Sequence, residues 1–558
     1  MNATIGNGVK ADFDAVIVGA GFSGLYTLHK LRELGLNVRV FERGNGLGGT
    51  WFWNRYPGLQ CDTETISYSF TFSPELYRGW TWSRRFAPQP EILDYANYVA
   101  DRLDLRKDIQ FETAVEHAHY DDADNVWRIS LSDGSTVTAT YFVTASGPLS
   151  TANLPRIAEL DSFAGEVYHT AQWPERPVDF TGKRVAIIGT GSSGAQAICA
   201  IADKVDQLVV FQRTPQYVTP AQQRLISVEE MQDRKDNLDQ LVEEMRNSSF
   251  GAPGTSTDRS AFEDTPEQRE KVFEAAWEWG AQAFALATYK DLTTNEEANA
   301  MAADFVRGKI SQIVQDPETA RKLMPDYLFG TKRPIKVDGY YEAFNRENVH
   351  LVALREEPIV QATTGGLRTS EKEYEFDAII FATGFDAITG TLFRMDIRGR
   401  DGIALRDKWD DGVNVKTLLG VGTSEFPNMF VVQGPQSPSV MANFLFGIQL
   451  NVDWITGLIG YLVKNEIAVC EVTREGEDAW SDHCQALAEN TLLLKTESWW
   501  TGANIAEKPR PKYFQTYLGG VKEYADQTKR VADRGYPGFA LTPRVSGRAT
   551  DDLVTARL

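Results

Sequence analysis

Two short β-branched runs each end in a glycine turn, and this repeat constrains the fold more than any other feature of the chain. Asp14–Val18 (DAVIV) leads into Gly19-Ala20-Gly21-Phe22-Ser23-Gly24, then an amphipathic stretch, then a second run ending at Glu42. Arg184–Ile188 (RVAII) leads into Gly189-Thr190-Gly191-Ser192-Ser193-Gly194, then a helix-periodic stretch, then LVVFQR ending at Arg213. Strand, tight glycine turn, helix and strand make one βαβ unit of a dinucleotide-binding fold. The expected class is therefore α/β, with two Rossmann-like dinucleotide-binding domains.

The rest of the chain is distributed around these units. At 558 residues it is too long for one ordinary core. Between about 222 and 330 the pattern turns acidic and helix-periodic: Thr265-Pro266-Glu267-Gln268 spells a capping box, and Asp316-Pro317-Glu318 opens another helix. Residues 375–386 (EFDAIIFATGFD) spell a buried strand entering a glycine turn. The expected plan has a first domain over 1–150, a second over 151–222 and 335–394, and a helical insertion over 223–334 within the second. Residues 395–558 are expected to return to the first domain.

The two turns differ in the acid or base that follows them. In each, the first glycine allows the tight turn, the second lets backbone approach a pyrophosphate, and the third lets helix and strand pack closely. The helix N-terminus then offers free N–H groups and the positive end of its dipole to phosphate. Glu42 stands where a carboxylate accepts hydrogen bonds from a ribose diol, so the first unit suits FAD or NAD. Arg213, with Thr214 after it, ends the corresponding strand of the second unit. A carboxylate there would repel a ribose 2′-phosphate and a guanidinium would grip it, so the second unit suits NADPH. Lys332 is expected to join Arg213 on that phosphate. Two such sites of opposite preference suggest hydride passing from NADPH to flavin.

Composition excludes several classes. A net charge of -20 argues against general nucleic-acid binding. No apolar run is long enough for a spanning helix, and the first residues lack the pattern of a secretory signal, so the expected place is the cytoplasm, away from membranes. Cys61, Cys199, Cys470 and Cys484 form no CxxC pair, and the six histidines form no HExxH pair, so no metal is expected.

Two longer segments narrow the class. Phe163, Gly165, His169, Thr170, Trp173 and Pro174 spell FxGxxxHTxxWP immediately before the second glycine unit, and Gly48-Gly49-Thr50-Trp51 leads through Tyr56-Pro57 to Asp62. Together they resemble the two fingerprints of the type I Baeyer–Villiger monooxygenases, among them those acting on cyclohexanone and phenylacetone. The similarity is collinear from about residue 12 onward.

The resemblance implies FAD and NADPH as cofactors and molecular oxygen and a ketone as substrates. The product is an ester or lactone, formed through a flavin C4a-peroxide and a Criegee adduct. It places Arg333 over the flavin, where a permanent cation would stabilise the peroxide anion, with Asp62 holding the guanidinium. Gly49, Thr50, Trp51, Tyr56, Tyr68 and Val115 are expected to join the glycine turns in contacting cofactor. Trp499 is expected to close over NADP, although the adjacent Trp500 could take that part. The loop from Gly434, with Ser437, Pro438, Val440 and Met441, is expected to line the ketone pocket. His169 is expected to serve the linker between the domains, without acid–base work. The turns at Ala145-Ser146-Gly147 and Ala382-Thr383-Gly384 also look like those of two-dinucleotide flavoproteins.

Other readings compete. A flavin-dependent N- or S-oxygenase would usually lack the Trp173-Pro174 ending and the Asp62/Arg333 pair. A disulfide reductase would need a second cysteine near Cys61, and a nucleotide-binding redox sensor would leave both long fingerprints unexplained. A monomer or small homo-oligomer is expected.

Overall fold

In the computed structural model, residues 10–254, 256–502, 505 and 508–544 are described. The start of the chain, read above for a targeting signal, lies outside the described residues over 1–9, as does the stretch 545–558 of the last expected segment.

Two sheets carry the glycine turns. In the first, Phe13–Val18 runs parallel to Val38–Phe41 on one side and to Thr136–Thr144 on the other. The meander Val115–Asp121, Val126–Leu131 and Thr136–Thr144 extends it. In the second, five strands are all parallel, in the order Val349–Ala353, Gln207–Gln212, Arg184–Ile188, Ala378–Phe381, Glu166–His169. Ala378–Phe381 is buried on both faces, as its continuous apolar run requires. Burying each such Ile or Phe side chain contributes roughly 1.5–3 kcal/mol.

The chain returns to the first sheet late. Asp396–Arg398 pairs with Val115–Asp121, and Met429–Val431 pairs with Thr136–Thr144. The long apolar helix Phe444–Lys464 then packs on the helix that follows the first glycine turn, Phe22–Glu33. Among the described residues, no helix is long and apolar enough to cross a membrane.

The helical stretch in the middle is capped as its sequence dictates. Thr265 Oγ1 accepts from the Gln268 amide, and Gln268 Oε1 accepts from the Thr265 amide. The stretch is divided between two cores. Leu238, Leu241 and Met245 join the cluster of Tyr77, Phe446 and Val521, whereas Phe273, Phe284 and Phe305 pack on one another within the core that continues to the second sheet. Helical periodicity discloses an apolar face but not what covers it, so this division was not legible in the sequence.

Each glycine turn is held by a contact that only glycine permits. Gly19 has φ +98° and Gly189 φ +106°, in the left-handed region. A Cβ on Gly24 would lie 1.9 Å from the Gly19 carbonyl oxygen, and one on Gly194 would lie 2.1 Å from that of Gly189. These third glycines let the helix close onto its strand, which aims the helix start into the space between the sheets.

Candidate active site

One continuous cavity of about 2040 Å³ lies between the two units. That is about twice the upper end for a typical small-molecule site, so it has room for more than one ligand. From the first unit Gly19, Gly21, Phe22, Ser23 and Glu42 border it, and so do Gly49, Thr50, Trp51, Tyr56 and Asp62 of the segment that follows. Tyr68 and Val115 also reach it. From the second unit it meets Gly189, Thr190, Gly191, Ser192 and Ser193, then Arg213 and Thr214. Gly24 and Gly194 stand one step back, as the packing glycines just described.

The donors suit two dinucleotides. Neither turn's helix, Phe22–Glu33 or Ser192–Ile201, has a side-chain cap or an acidic residue in its first turn, which leaves N–H groups and dipole for phosphate. Glu42 is buried; its Oε2 accepts from the Ala20 amide and its Oε1 from the Gly44 amide, both at 2.8 Å. These bonds fix the carboxylate at the cavity edge while each oxygen keeps a further lone pair for a ribose hydroxyl. At the second unit Arg213, Lys332 and Arg355 all border the cavity. Burial lowers the Lys332 pKa, and the charge of Arg213 lowers it further. Cations crowded this way favour an anion between them. Arg355 was missed in the sequence, because nothing in its local pattern marks it.

The segment Tyr56–Asp62 bridges the two bodies. Tyr56 Oη donates to Gln196 Oε1 at 2.8 Å, and Gln196 Nε2 donates to the Gln60 carbonyl at 3.0 Å. A Cβ at Gly58 would lie 2.5 Å from the Gln196 carbonyl oxygen, so the segment rests directly on the second unit's helix. This contact delivers Asp62 to Arg333. Arg333 Nε and Nη2 donate to Asp62 Oδ2 and Oδ1, each at 2.8 Å, and Nη1 donates to the Val440 carbonyl at 2.8 Å. Two of the five guanidinium N–H groups take no part in these bonds. Both side chains are about a quarter exposed, at 23% for Arg333 and 25% for Asp62.

Lys336, absent from the expected site, approaches Asp62 Oδ2 to 3.7 Å. Burial works to raise the Asp62 pKa, but Arg333 and Lys336 overcome it and hold the carboxyl well below its ordinary range. Burial works to lower the Arg333 pKa, and Asp62 more than offsets it, so the guanidinium stays charged. Cys61 beside them is buried, its thiol pushed up to about 12 by that burial, and so is a poor nucleophile.

The domain linker gathers at His169. Its Nδ1 accepts from the Ala171 amide at 3.0 Å, which puts the ring proton on Nε2, 3.3 Å from both the Asn153 carbonyl and Thr383 Oγ1. Burial lowers its pKa. The ring thus ties the linker to the Ala382-Thr383-Gly384 turn. Trp173 stacks on Tyr168 at 5.1 Å, Phe163 joins the core of the second sheet, and a Cβ on Gly165 would meet the Phe163 ring at 2.4 Å.

The tryptophan pair is divided by the fold: Trp499 borders the cavity, whereas Trp500 is buried among Val440, Leu493 and Phe514. The loop from Gly434 requires a correction, since of its four expected pocket residues only Val440 borders the cavity. Ser437 is fully buried and its hydroxyl donates to the Gly434 carbonyl at 2.7 Å, so its own turn consumes it. Pro438 is buried in the same turn, and Met441 packs on the cluster around Trp500.

One further cluster was not anticipated. His117 Nδ1 and His119 Nε2 lie 3.4 and 2.9 Å from Asp396 Oδ2, because a strand's period of two puts both rings on one face. Arg398 Nε donates to the same oxygen at 3.0 Å, so this half-buried carboxylate is already neutralised by a guanidinium.

Residues 14–224 match the flavin-binding monooxygenase-like family. A Baeyer–Villiger monooxygenase of Pseudooceanicola batsensis is 44% identical over 531 residues, covering 95% of this chain and 96% of that protein. A phenazine N-monooxygenase of Lysobacter antibioticus is 43% identical, covering 95% of this chain and 97% of its own. The crystal structure of cyclohexanone monooxygenase from Rhodococcus sp. Phi1 bound to NADP+ superposes with a TM-score of 0.93 at 42% identity, over 95% of this chain and 99% of that one.

Proposed function

The chain belongs to the Baeyer–Villiger monooxygenase family, and on that premise we propose that it converts ketones to esters or lactones using FAD, NADPH and dioxygen. The observation that carries the reading is the Asp62–Arg333 pair, set on the wall of the same cavity that both glycine turns enter.

Gly21, Ser23 and Glu42 would hold the FAD pyrophosphate and ribose, and Gly191, Ser192, Arg213 and Lys332 would hold NADP. FAD held there would supply the activation of dioxygen, with NADPH as the source of its electrons. Arg333 places a permanent positive charge where an oxygen anion must persist and where charge then gathers on the ketone oxygen. A guanidinium stays protonated through these changes, so it stabilises an anion without quenching it. Asp62 fixes the plane of that guanidinium and keeps it charged. Trp499 would close over bound NADP, and together with the helices of the middle segment would keep water from the reacting atoms.

The phenazine relative favours a second reading, oxygen transfer to an aromatic nitrogen. The experiment that separates the two supplies the FAD-loaded protein with NADPH, isotopically labelled dioxygen, and a panel of cyclic, linear and aryl ketones alongside phenazine. One labelled oxygen atom in an ester or lactone supports the ketone reading. N-oxide as the sole product transfers the assignment to nitrogen.

A further inference from the structure

Asp62 carries a second cation for which the mechanism above has no task. Lys336 follows Arg333 by three residues, in the short strand Ile335–Lys336 that runs parallel to Val218–Thr219. It is only 6% exposed, and its Nζ lies 3.7 Å from Asp62 Oδ2, the oxygen that also accepts from Arg333 Nε at 2.8 Å. An ammonium in such a place is costly unless paired, and the neighbouring Ile335 shows the kind of side chain the strand otherwise buries.

Among the described residues, the surroundings offer Lys336 no other anion. The strand Val218–Thr219 contributes no charged group, and the helix Ser192–Ile201 packed on Ile335–Lys336 contributes none either. The one titratable group of that helix, Cys199, is pushed up to about 12 by burial and stays neutral, as does Cys61 for the same reason. The charged groups facing Lys336 are therefore Asp62 and Arg333.

We propose that Lys336 is a positioning residue for Arg333: a second cation on the Asp62 carboxylate that steadies the anion from which the guanidinium hangs and adds one positive charge behind the cavity wall. With Lys336 charged, the cluster of Asp62, Arg333 and Lys336 carries a net +1; with Lys336 neutral it carries zero. Burial lowers the Lys336 pKa, Asp62 raises it and Arg333 lowers it again, leaving it at about 8. The extra charge is thus present below about pH 8 and lost above it, within the range where an enzyme works. Below that point it favours the negatively charged, reduced cofactor.

The inference rests on the proposed function, and two measurements on the FAD-loaded protein keep the two apart. The first is the reduction potential of bound FAD against pH, for native protein, Lys336→Met and Lys336→Arg. The second is the share of NADPH that ends in ester rather than hydrogen peroxide over the same pH range. Native protein should show a downward break in potential near pH 8 and a parallel fall in coupling. Lys336→Met should follow the lower branch throughout with no break, and Lys336→Arg the upper branch with no break. If Lys336→Met does not retain FAD, Lys336→Arg decides. Persistence of the native break in an FAD-loaded variant, while native protein forms ester, overturns the role of Lys336 alone. Native protein that forms no ester overturns the proposed function instead.

Discussion

Asp62 and Arg333 stand 271 residues apart in sequence and are joined by two hydrogen bonds of 2.8 Å each. A third, to the Val440 carbonyl, brings in the C-terminal part of the chain. The guanidinium is thus held by two regions distant from its own, at Asp62 and Val440, and its position depends on how they sit together. The Tyr56–Gln196 and Gln196–Gln60 bonds hold that placement from the other side of the segment.

Arg213 and Lys332 should choose the reductant. Arg213→Ala is expected to raise the KM for NADPH by about 10- to 100-fold, the scale of one lost charge-assisted hydrogen bond. It should leave NADH oxidation nearly unchanged, because NADH has no 2′-phosphate. Steady-state kinetics with both reductants check this, and an unchanged preference removes Arg213 from the phosphate site.

The third glycines separate the two cofactors. Gly194→Ala forces a Cβ against the Gly189 carbonyl, so it should weaken NADP+ binding while FAD remains bound. Gly24→Ala makes the same clash with Gly19 and should yield colourless or unfolded protein. Absorbance of the purified variants and NADP+ titration read the difference; FAD retained at native level in Gly24→Ala would count against the first turn as the flavin site.

The adjacent tryptophans should behave oppositely. Trp500→Ala empties a buried position and should cost about 3–5 kcal/mol of stability. Trp499→Ala should leave the Tm close to native and increase hydrogen peroxide release, since its ring borders the cavity. Thermal melts paired with peroxide assays check both, and equal loss of stability in the two variants would contradict this division.

Lys336 also predicts how stability varies with pH. Its folded pKa, about 8, lies below its ordinary value of 10.5, so between these the unfolded chain binds more protons. Stability relative to Lys336→Met should therefore rise as pH rises from about 8 towards 10, by an amount on the order of a kcal/mol or more. Melts of native and variant protein across that window read the difference; a constant gap would show that Lys336 does not titrate there.

Much of this arrangement is local, and the sequence discloses what is local. Gly19-x-Gly21 and Gly189-x-Gly191 declare their turns because a strand, a positive φ and a helix start each leave a mark within a few residues. The caps at Thr265 and Asp316 are legible for the same reason. Lys336 and Arg355 are not, because their meaning depends on Asp62 and Arg213, far away in the chain. Ser437 differs for a related cause: a segment that closes a pocket in outline can still turn a side chain into the core, as Ser437 does toward Gly434. His117 and His119 do not meet the helical HExxH spacing, yet the strand Val115–Asp121 aligns them, because alternate residues share one face.

A fixed cation at Arg333 is expected to serve the oxygen-transfer step and not the reduction that precedes it. The direct measurement follows Arg333→Ala through anaerobic reduction by NADPH and then through product formation with a ketone in air. FAD should be reduced to completion, with ester formation lowered by at least about 10²-fold. Ester formed at the native rate by that variant would contradict this role of Arg333.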